Sequence, residues 1–269
     1  MENLLIAVII GVVEGVTEFL PVSSTGHMIL AGHLMGFEGE VASVFEVFIQ
    51  LGAILSVLFL YRDKFAAMMP RNGRKTGFRS ALQWQHVAVG IIPVMGVGYL
   101  LHKAIKTYLF SPFTVIVGLV IGAVLMLAAE KWAQMRRPRT CDVDEITLKQ
   151  AFWVGLFQIL SLWPGFSRSG STISGGLFVG LSRKAAADFS FIISVPLMFV
   201  ACFYDLLKVW GQLNADHLFM IGVGFVTAFI VAYASVIWFL RFLNQSTLAS
   251  FAYYRFVLAA VSYYFFYGI

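Results

Sequence analysis

The chain has 269 residues, of which 59% are hydrophobic and only 12% are charged. A soluble protein of this length would need more charge to cover its surface, so the composition indicates an integral membrane protein. The net charge of +5 is not a nucleic-acid signal, because basic residues of membrane proteins collect in cytoplasmic loops. The distant Cys141 and Cys202 predict neither a disulfide framework nor a metal site, and no cleavable signal peptide is expected.

The first predicted element is a hairpin over residues 11–36, GVVEGVTEFLPVSSTGHMILAGHLMG. An apolar helix with two carboxylates breaks at Pro21 and continues through a Ser-Ser-Thr-Gly-His cluster into a second apolar helix. This second arm, about 24–36, would rise only about 20 Å, which is too short to span a bilayer. We therefore expect a re-entrant hairpin, buried in protein or lining a wet cavity.

Six apolar segments are candidate membrane spans, since a span needs about 17–25 residues. They are residues 44–61, 84–101, 113–130, 186–206, 217–240 and the aromatic-rich 249–267. Residues 155–180, which precede the segment 186–206, repeat the first hairpin at an offset of 144 residues. In this alignment Ser23 is equivalent to Ser167 and Gly36 is equivalent to Gly180. A polar-tipped hairpin that is present twice predicts an internal duplication.

The basic residues predict the orientation of the chain in the membrane. The first span is followed by six of them, which predict a cytoplasmic loop: Arg62, Lys64, Arg71, Arg74, Lys75 and Arg79. With that loop inside, 14 basic residues lie on the cytoplasmic side and 3 outside, while Arg168 and Arg255 lie within membrane segments. The unequal distribution of basic residues supports the six spans. The prediction of re-entrant hairpins rests on the short second arms.

The predicted fold is an all-α integral membrane protein with a single domain over residues 1–269. It consists of two inverted-topology repeats, about 1–130 and 145–269, joined by a cytoplasmic linker. Each repeat is a re-entrant helical hairpin plus three transmembrane helices, and because three is odd the second repeat is inverted. Inverted repeats place a polar site near the midplane of the membrane, where we expect the two hairpin tips to meet.

The first tip combines acidic groups, hydroxyls and a histidine. Glu14 and Glu18 lie four residues apart on one helix face, and ionisable residues within a bilayer are functional candidates, with a structural pair as the alternative. Ser23, Ser24 and Thr25 open the second arm as candidate N-caps, and a capped helix N-terminus is also an anion site. His27 lies on the same helix side as Ser24, so a Ser–His pair is a candidate base and nucleophile, with a structural histidine as the alternative.

The second tip reads PGFSRSGST, residues 164–172. Hydroxyls surround Arg168, and arginine suits bidentate recognition of phosphate. The alternative is that Arg168 neutralises Glu14 or Glu18, and both roles are compatible if one holds in the empty site and the other with ligand. Acid–base candidates at one tip and positive charge at the other favour a phosphoanhydride substrate over a symmetric transport site.

These residues resemble a known family. EGVTEFLPVSSTGHM (Glu14–Met28) and PGFSRSGSTISGG (Pro164–Gly176) are similar to the signature regions of bacterial undecaprenyl-pyrophosphate phosphatases of the bacitracin-resistance type. The resemblance covers nearly the whole chain, including FEVFIQLGAIL and YRF (Tyr254–Phe256). It implies hydrolysis of undecaprenyl pyrophosphate in the bacterial inner membrane, which recycles the lipid carrier for peptidoglycan synthesis and confers bacitracin resistance. It also implies an active site open to the periplasmic side and a divalent cation, Mg²⁺ or Ca²⁺.

By this resemblance the functional positions fall on Glu14, Glu18, Ser24, His27, Ser167, Arg168 and Thr172. The resulting catalytic candidates are Ser24, His27, Glu14, Glu18 and Arg168, and the substrate-binding candidates are Ser23, Thr25, Gly26, Ser167, Ser169, Gly170 and Thr172. Ser24 is the candidate nucleophile with His27 as its base, although His27 could instead attack directly or activate water. Two carboxylates repel a polyanion, so either Glu14 and Glu18 hold the cation or one of them is protonated.

The expected partners are the lipid pyrophosphate and membrane lipids, with a homodimer as a candidate assembly and no nucleic acid. A polyprenyl-phosphate transporter or flippase is the rival function, because inverted repeats with broken helices are typical of transporters. A structural membrane protein without chemistry is disfavoured by the ionisable cluster, and lipid phosphatases with a histidine nucleophile are excluded because no histidine follows Arg168 at the expected distance.

Glu46 and Gln50 are candidates to support His27 or to join helices. Arg255 needs a carboxylate or lipid partner, and the aromatic C-terminal segment predicts an interfacial belt.

Overall fold

The computed structural model of the protein describes residues 2–37, 39–69, 82–209 and 218–268. Within these ranges the chain is helical, without strands, and one isolated β-bridge joins Thr140 to Leu181. The helices are α1 (Glu2–Thr17), α2 (Ser24–Leu34), α3 (Glu40–Leu60), α4 (Arg62–Met68), α5 (Trp84–Tyr108), α6 (Pro112–Gln134), α7 (Leu148–Gln158), α8 (Arg168–Phe178), α9 (Arg183–Val209), α10 (Leu218–Leu243) and α11 (Ala249–Tyr267). The predicted all-α fold class is confirmed.

Five helices of the described ranges are long and apolar enough to cross a membrane, and they are α3, α5, α6, α9 and α10. They coincide with five of the six predicted spans, and α5 continues beyond its predicted end to Tyr108. Their large apolar side chains, such as Leu100 and Phe219, are exposed, as expected of helices that face lipid. These helices make the chain a multi-pass membrane protein.

The sixth predicted span forms α11 over the predicted residues, but α11 is not among those five helices. Its tyrosines and Arg255 lower the hydropathy that a spanning helix needs. The basic loop that orients the chain is described only as far as residue 69, so Arg71, Arg74, Lys75 and Arg79 lie outside the described residues.

Both predicted hairpins are present as helix–break–helix units, α1–α2 and α7–α8. The first break runs from Glu18 to Ser23, and the second contains a short 3-10 turn, Ile159–Leu162, before Ser167. The second arms α2 and α8 have 11 residues each. At 1.5 Å per residue each arm rises only about 16 Å, which is roughly half of a bilayer core.

The 144-residue offset of the sequence recurs in the backbone of α2 and α8. Gly36 and Gly180, which follow the two helices, both have positive φ, at +61° and +88°. The N–H of the next residue closes the same six-residue turn in each case, from Phe37 to the Gly32 carbonyl at 2.8 Å and from Leu181 to the Gly176 carbonyl at 2.9 Å. These are Schellman-type C-caps, and they end the two helices at equivalent positions.

The two hairpins exchange packing partners between the halves of the chain, because α1 packs on α10 and α7 packs on α5. The closest approach is made by glycine in both cases. A Cβ atom on Gly11 would lie 2.8 Å from the Gly224 carbonyl oxygen, and one on Gly155 would lie 2.6 Å from that of Gly90. Both crossings therefore require the absence of a side chain.

Glu130, near the end of α6, is buried and joins three elements. Its carboxylate oxygens lie 3.0 and 3.1 Å from Nε of Arg183, at the start of α9. The same carboxylate accepts the backbone N–H of Leu248, just before α11, at 3.2 Å. One side chain thus fixes the relative positions of α6, α9 and α11.

We expect Glu130→Gln to lower the free energy of unfolding. Breaking a buried ion pair costs about 3–5 kcal/mol. The Arg183 side chain is 31% exposed and stays partly solvated, so we expect a smaller loss, about 1–3 kcal/mol. The melting temperature of the purified protein in detergent measures the effect, and Glu145→Gln at an exposed carboxylate is the control. Equal melting temperatures for the two variants would contradict this role of Glu130.

Candidate active site

Each helix break ends in a serine with a left-handed backbone. Ser23 and Ser167, with φ of +73° and +71°, are the non-glycine residues of the described ranges that have positive φ. Their hydroxyls accept the backbone N–H three residues further on, from Gly26 at 3.4 Å and from Gly170 at 3.2 Å. Both serines are therefore N-caps, as predicted for the first tip. Such backbone conformations cost about 1–3 kcal/mol each and cluster at functional sites.

Glu18 joins the two tips. Its Oε2 accepts the Ser24 hydroxyl at 2.6 Å, and its Oε1 lies 3.3 Å from Nη2 of Arg168. The side chains of Glu18 and Arg168 are only 6% and 11% exposed, so this charge pair is largely out of contact with solvent. A second bond between the tips runs from the Ser169 hydroxyl to the Leu20 carbonyl at 2.9 Å. The predicted meeting of the tips is confirmed.

Arg168 is held on more than one side. Besides Glu18, its guanidinium donates from Nη1 to the Ser190 carbonyl of α9 at 3.3 Å. Its central carbon lies 5.4 Å from the centroid of the Phe19 ring, within the range of a cation–π contact. The alternative interpretation, that Arg168 neutralises a carboxylate of the first tip, is therefore correct for the arrangement seen here.

The other predicted substrate-binding residues differ in access. Thr25 is exposed, whereas Gly26 and Gly170 are buried at the first turns of α2 and α8. Thr172 is fully buried, and its Oγ1 lies 2.6 Å from the Ser190 hydroxyl and 2.9 Å from the first carbonyl of α8. Thr172 therefore joins α8 to α9, and like Ser169 it supports the second tip from within.

His27 makes a contact that the sequence did not predict. Its Nδ1 lies 2.8 Å from the Ser23 carbonyl oxygen, and its Nε2 lies 2.7 Å from the Tyr254 hydroxyl of α11. Because a carbonyl only accepts, Nδ1 carries the hydrogen and the neutral ring presents its Nε2 lone pair to Tyr254. The Ser24 hydroxyl is bonded to Glu18, so Ser24 and His27 do not form the predicted nucleophile–base pair in this arrangement.

Arg255, the neighbour of Tyr254, is fully buried and supports the second tip. Its Nη2 donates to the Gly165 carbonyl at 2.8 Å and to the Gly118 carbonyl of α6 at 3.1 Å, and its Nη1 lies 3.5 Å from the sulfur of Met126. Among the described residues its partners are thus two backbone carbonyls and a thioether sulfur, and not a carboxylate. The guanidinium fixes the turn that leads into Ser167.

Hydropathy and charge mark only one of these two residues, although both lie in the YRF segment of the family resemblance. Arg255 is a charged residue in an apolar segment, which marks it as a candidate. Tyr254 is one of many aromatic residues near the C-terminus, and the predicted interfacial belt gave no reason to single it out. Its contact with His27 shows that one tyrosine of this segment belongs to the site.

Glu14 lies beside Glu18 and Glu46 and is only 3% exposed, and its Oε1 has no hydrogen-bond partner within the described ranges. The described residues contain no group of three or more His, Cys, Asp or Glu side chains that could hold a metal ion. Mg²⁺ often binds through one or two carboxylates together with substrate phosphates, so Glu14 and Glu18 fit a cation that arrives with a phosphorylated substrate.

Gln50 accepts the Cys202 thiol at 3.1 Å and joins α3 to α9.

Comparison with known proteins identifies the family. Residues 7–261 match the family model described as bacitracin resistance protein BacA. The chain belongs to this family. It is 48% identical over 262 residues to proteins named undecaprenyl-diphosphatase 1 from Bacillus cereus, Bacillus thuringiensis and Bacillus anthracis. Each alignment covers 96% of this chain and 97% of the relative. Both tips and the Tyr254–Arg255 pair lie within the residues that match the BacA family model.

We expect Arg255→Lys to destabilise the protein although it keeps the charge. Nη2 lies at the end of the guanidinium and donates to both the Gly118 and the Gly165 carbonyls. The shorter lysine side chain ends before that position and leaves an acceptor without a donor, and an unsatisfied buried acceptor costs about 1–3 kcal/mol. The melting temperature in detergent measures the loss. Arg241→Lys, at an exposed arginine, is the control, and an Arg255→Lys variant as stable as this control would refute the support of the tip by Arg255.

Proposed function

We propose that the chain is a membrane phosphatase that hydrolyses undecaprenyl pyrophosphate to undecaprenyl phosphate and inorganic phosphate. This reaction recycles the lipid carrier for peptidoglycan synthesis and gives bacitracin resistance. The relatives that are 48% identical across the chain are named undecaprenyl-diphosphatases. The observation that carries the proposal is the buried Ser24–Glu18–Arg168 contact, which combines a hydroxyl nucleophile, a proton acceptor and a phosphate-binding cation.

Ser24 attacks the terminal phosphorus, the bond from that phosphorus to the bridging oxygen breaks, and undecaprenyl phosphate leaves. The proton of Ser24 passes to Glu18, which already accepts it at 2.6 Å. Protonation neutralises Glu18 and frees Arg168 to bind phosphate oxygens, so the same arginine serves the empty and the occupied site. In this proposal the neutralising and the phosphate-binding roles of Arg168 are two stages of one cycle.

Water then attacks the phosphorus of the phosphoserine, and the bond from that phosphorus to the Ser24 oxygen breaks. Glu18 returns its proton to Ser24, and inorganic phosphate leaves. His27 accepts the proton at Nε2 by way of the Tyr254 hydroxyl, which takes a proton from the water and passes its own to the ring. The ring is oriented by the bond of Nδ1 to the Ser23 carbonyl, which keeps the lone pair on Nε2. Direct attack by His27 is the alternative to attack by Ser24. The N-termini of α2 and α8 both meet here, and their free N–H groups favour the phosphate charge.

A divalent cation, Mg²⁺ or Ca²⁺, fits the acidic side of this site. Glu14, and Glu18 until it takes the proton of Ser24, would hold it together with phosphate oxygens, and its charge would neutralise the pyrophosphate. The buried Glu14 Oε1 without a hydrogen-bond partner supports this proposal. A protonated Glu14 is the alternative way to relieve the repulsion between the carboxylates and the substrate.

The proposed architecture is a pair of inverted repeats, residues 1–130 and 145–269, joined by a cytoplasmic linker. The equivalent caps of α2 and α8 and the exchanged packing of α1 and α7 support it. Each repeat then has a re-entrant hairpin and three spans, with α11 as the sixth. The excess of basic residues in the loops supports a cytoplasmic linker, and in this proposal the active site opens to the periplasmic side of the inner membrane. A homodimer stays a prediction.

The first test is phosphate release from undecaprenyl pyrophosphate by the purified protein in detergent, with and without EDTA. Ser24→Ala and Arg168→Ala each remove a group that acts on the phosphate, so we expect release to fall about a hundredfold or more. Ser43→Ala, which removes an exposed hydroxyl distant in sequence from both tips, is the control and should keep wild-type activity.

EDTA should also abolish release if a cation is bound between the carboxylates and the phosphates. Retained activity in EDTA would favour the protonated carboxylate over the cation. If well-folded wild-type protein releases no phosphate, the phosphatase is refuted and a polyprenyl-phosphate transporter becomes the better explanation, because broken helices in inverted repeats are typical of transporters.

Tyr254→Phe should lower kcat by roughly 3- to 10-fold with little change in KM, since one neutral hydrogen bond contributes about 1 kcal/mol. The loss concerns proton transfer to His27 during hydrolysis and leaves phosphate binding at Arg168 intact. Tyr253→Phe, at a neighbouring tyrosine that is 62% exposed, is the matched control. Equal kcat values for the two variants would exclude a role of the Tyr254 hydroxyl in the reaction.

A further inference from the structure

A cavity of about 790 Å³ lies at the C-terminal end of α8, at the end of that helix opposite to Arg168. It is formed by the end of α6, the segment 136–140, the start of α7 and the start of α9. Since α8 has 11 residues, about 16 Å of helix separates this cavity from the tip of the hairpin. The cavity is therefore distinct from the candidate active site.

The lining of the cavity is strongly basic. Its charged residues are Arg136, Arg137, Arg139, Lys149 and Arg183, and the described residues that line it include no Asp or Glu. Arg183 is paired with the buried Glu130, which leaves four positive charges around one cavity. These four residues are exposed, and an anion among them would reduce the repulsion between their charges.

Aromatic and apolar side chains adjoin these charges. Trp132 and Trp153 line the cavity, and the guanidinium carbon of Arg136 lies 3.9 Å from the centroid of the Trp132 ring. Leu148 and Phe152, one turn apart on α7, are each 44% exposed, and Trp153 is 45% exposed. Tryptophan and basic residues at the edge of an apolar helix surface are typical of the level at which lipid headgroups lie.

We infer that this cavity binds the headgroup of an anionic phospholipid, with the phosphate diester among the arginines and Lys149. The acyl chains would then lie along the exposed apolar face of α7. The exposed apolar side chains of α7 beside the cavity favour a lipid over a free phosphate ion, and the excess of positive charge favours an anionic lipid over a zwitterionic one. In the proposed topology the cavity opens on the cytoplasmic side, where juxtamembrane basic clusters attract anionic lipids.

Native mass spectrometry of the purified protein tests the inference, with phosphatidylglycerol and phosphatidylcholine as the probes. We expect the wild type to retain phosphatidylglycerol in preference to phosphatidylcholine. The triple variant Arg136→Gln, Arg137→Gln and Lys149→Gln should lose retention of phosphatidylglycerol by about tenfold or more. Its matched control, Lys103→Gln, Lys184→Gln and Arg241→Gln, removes the same charge at exposed positions outside the cavity and should bind like the wild type.

Equal retention by the two triple variants, or equal retention of the two lipids by the wild type, would overturn the inference. Displacement of phosphatidylglycerol by millimolar inorganic phosphate or glycerophosphoglycerol would also overturn it, because the cavity would then be a site for soluble anions. The inference does not rest on the proposed phosphatase. Phosphate release by the cavity variant in lipid-free detergent reports on that reaction separately, and it should equal release by the control.

Discussion

The contact between Glu18 and Arg168 is the interaction on which the rest of the site depends, because a charge pair withdrawn from water needs neighbours that hold it in place. Two charges withdrawn from water cost several kcal/mol each, and their attraction compensates for this only when the geometry is well determined. Here the Ser24 hydroxyl occupies the second oxygen of Glu18, and the Ser190 carbonyl and the Phe19 ring hold the guanidinium. The interaction that makes the buried charges tolerable also brings the Ser24 hydroxyl and the Arg168 guanidinium to the two oxygens of one carboxylate.

Helix α11 supports this arrangement from outside both hairpins. Two successive residues of this helix contact different tips. Tyr254 bonds to His27 in the first tip, and Arg255 bonds to the Gly165 carbonyl in the turn before Ser167 of the second tip. Their separation by one position rotates the two side chains by about 100° around the helix axis. A small displacement of α11 would therefore disturb both halves of the site, and Glu130 anchors the residue that precedes this helix.

The two tips share a backbone and differ in chemistry. In the 144-residue register Ser24 falls on Arg168, and Glu14 falls on Gln158. Gln158 is fully buried and its amide donates to the Gly90 carbonyl at 3.3 Å, so on that side the equivalent position joins helices. A duplicated frame with two helix N-termini provides a general anion site. The divergence of these side chains is what favours hydrolysis over transport in this chain.

The sequence alone determined the elements that depend on local pattern: the apolar helices, the two breaks, the serine caps and the charged side chains at both tips. It predicted that the tips meet, because a repeat with an odd number of spans is inverted, and it left open whether Arg168 pairs with Glu14 or Glu18. Only the tertiary structure decided that Ser24 donates to Glu18 and not to His27, and that Tyr254 and Arg255 support the tips. Those contacts join residues up to 227 positions apart through side-chain rotamers and helix rotation, which no periodicity in the sequence encodes.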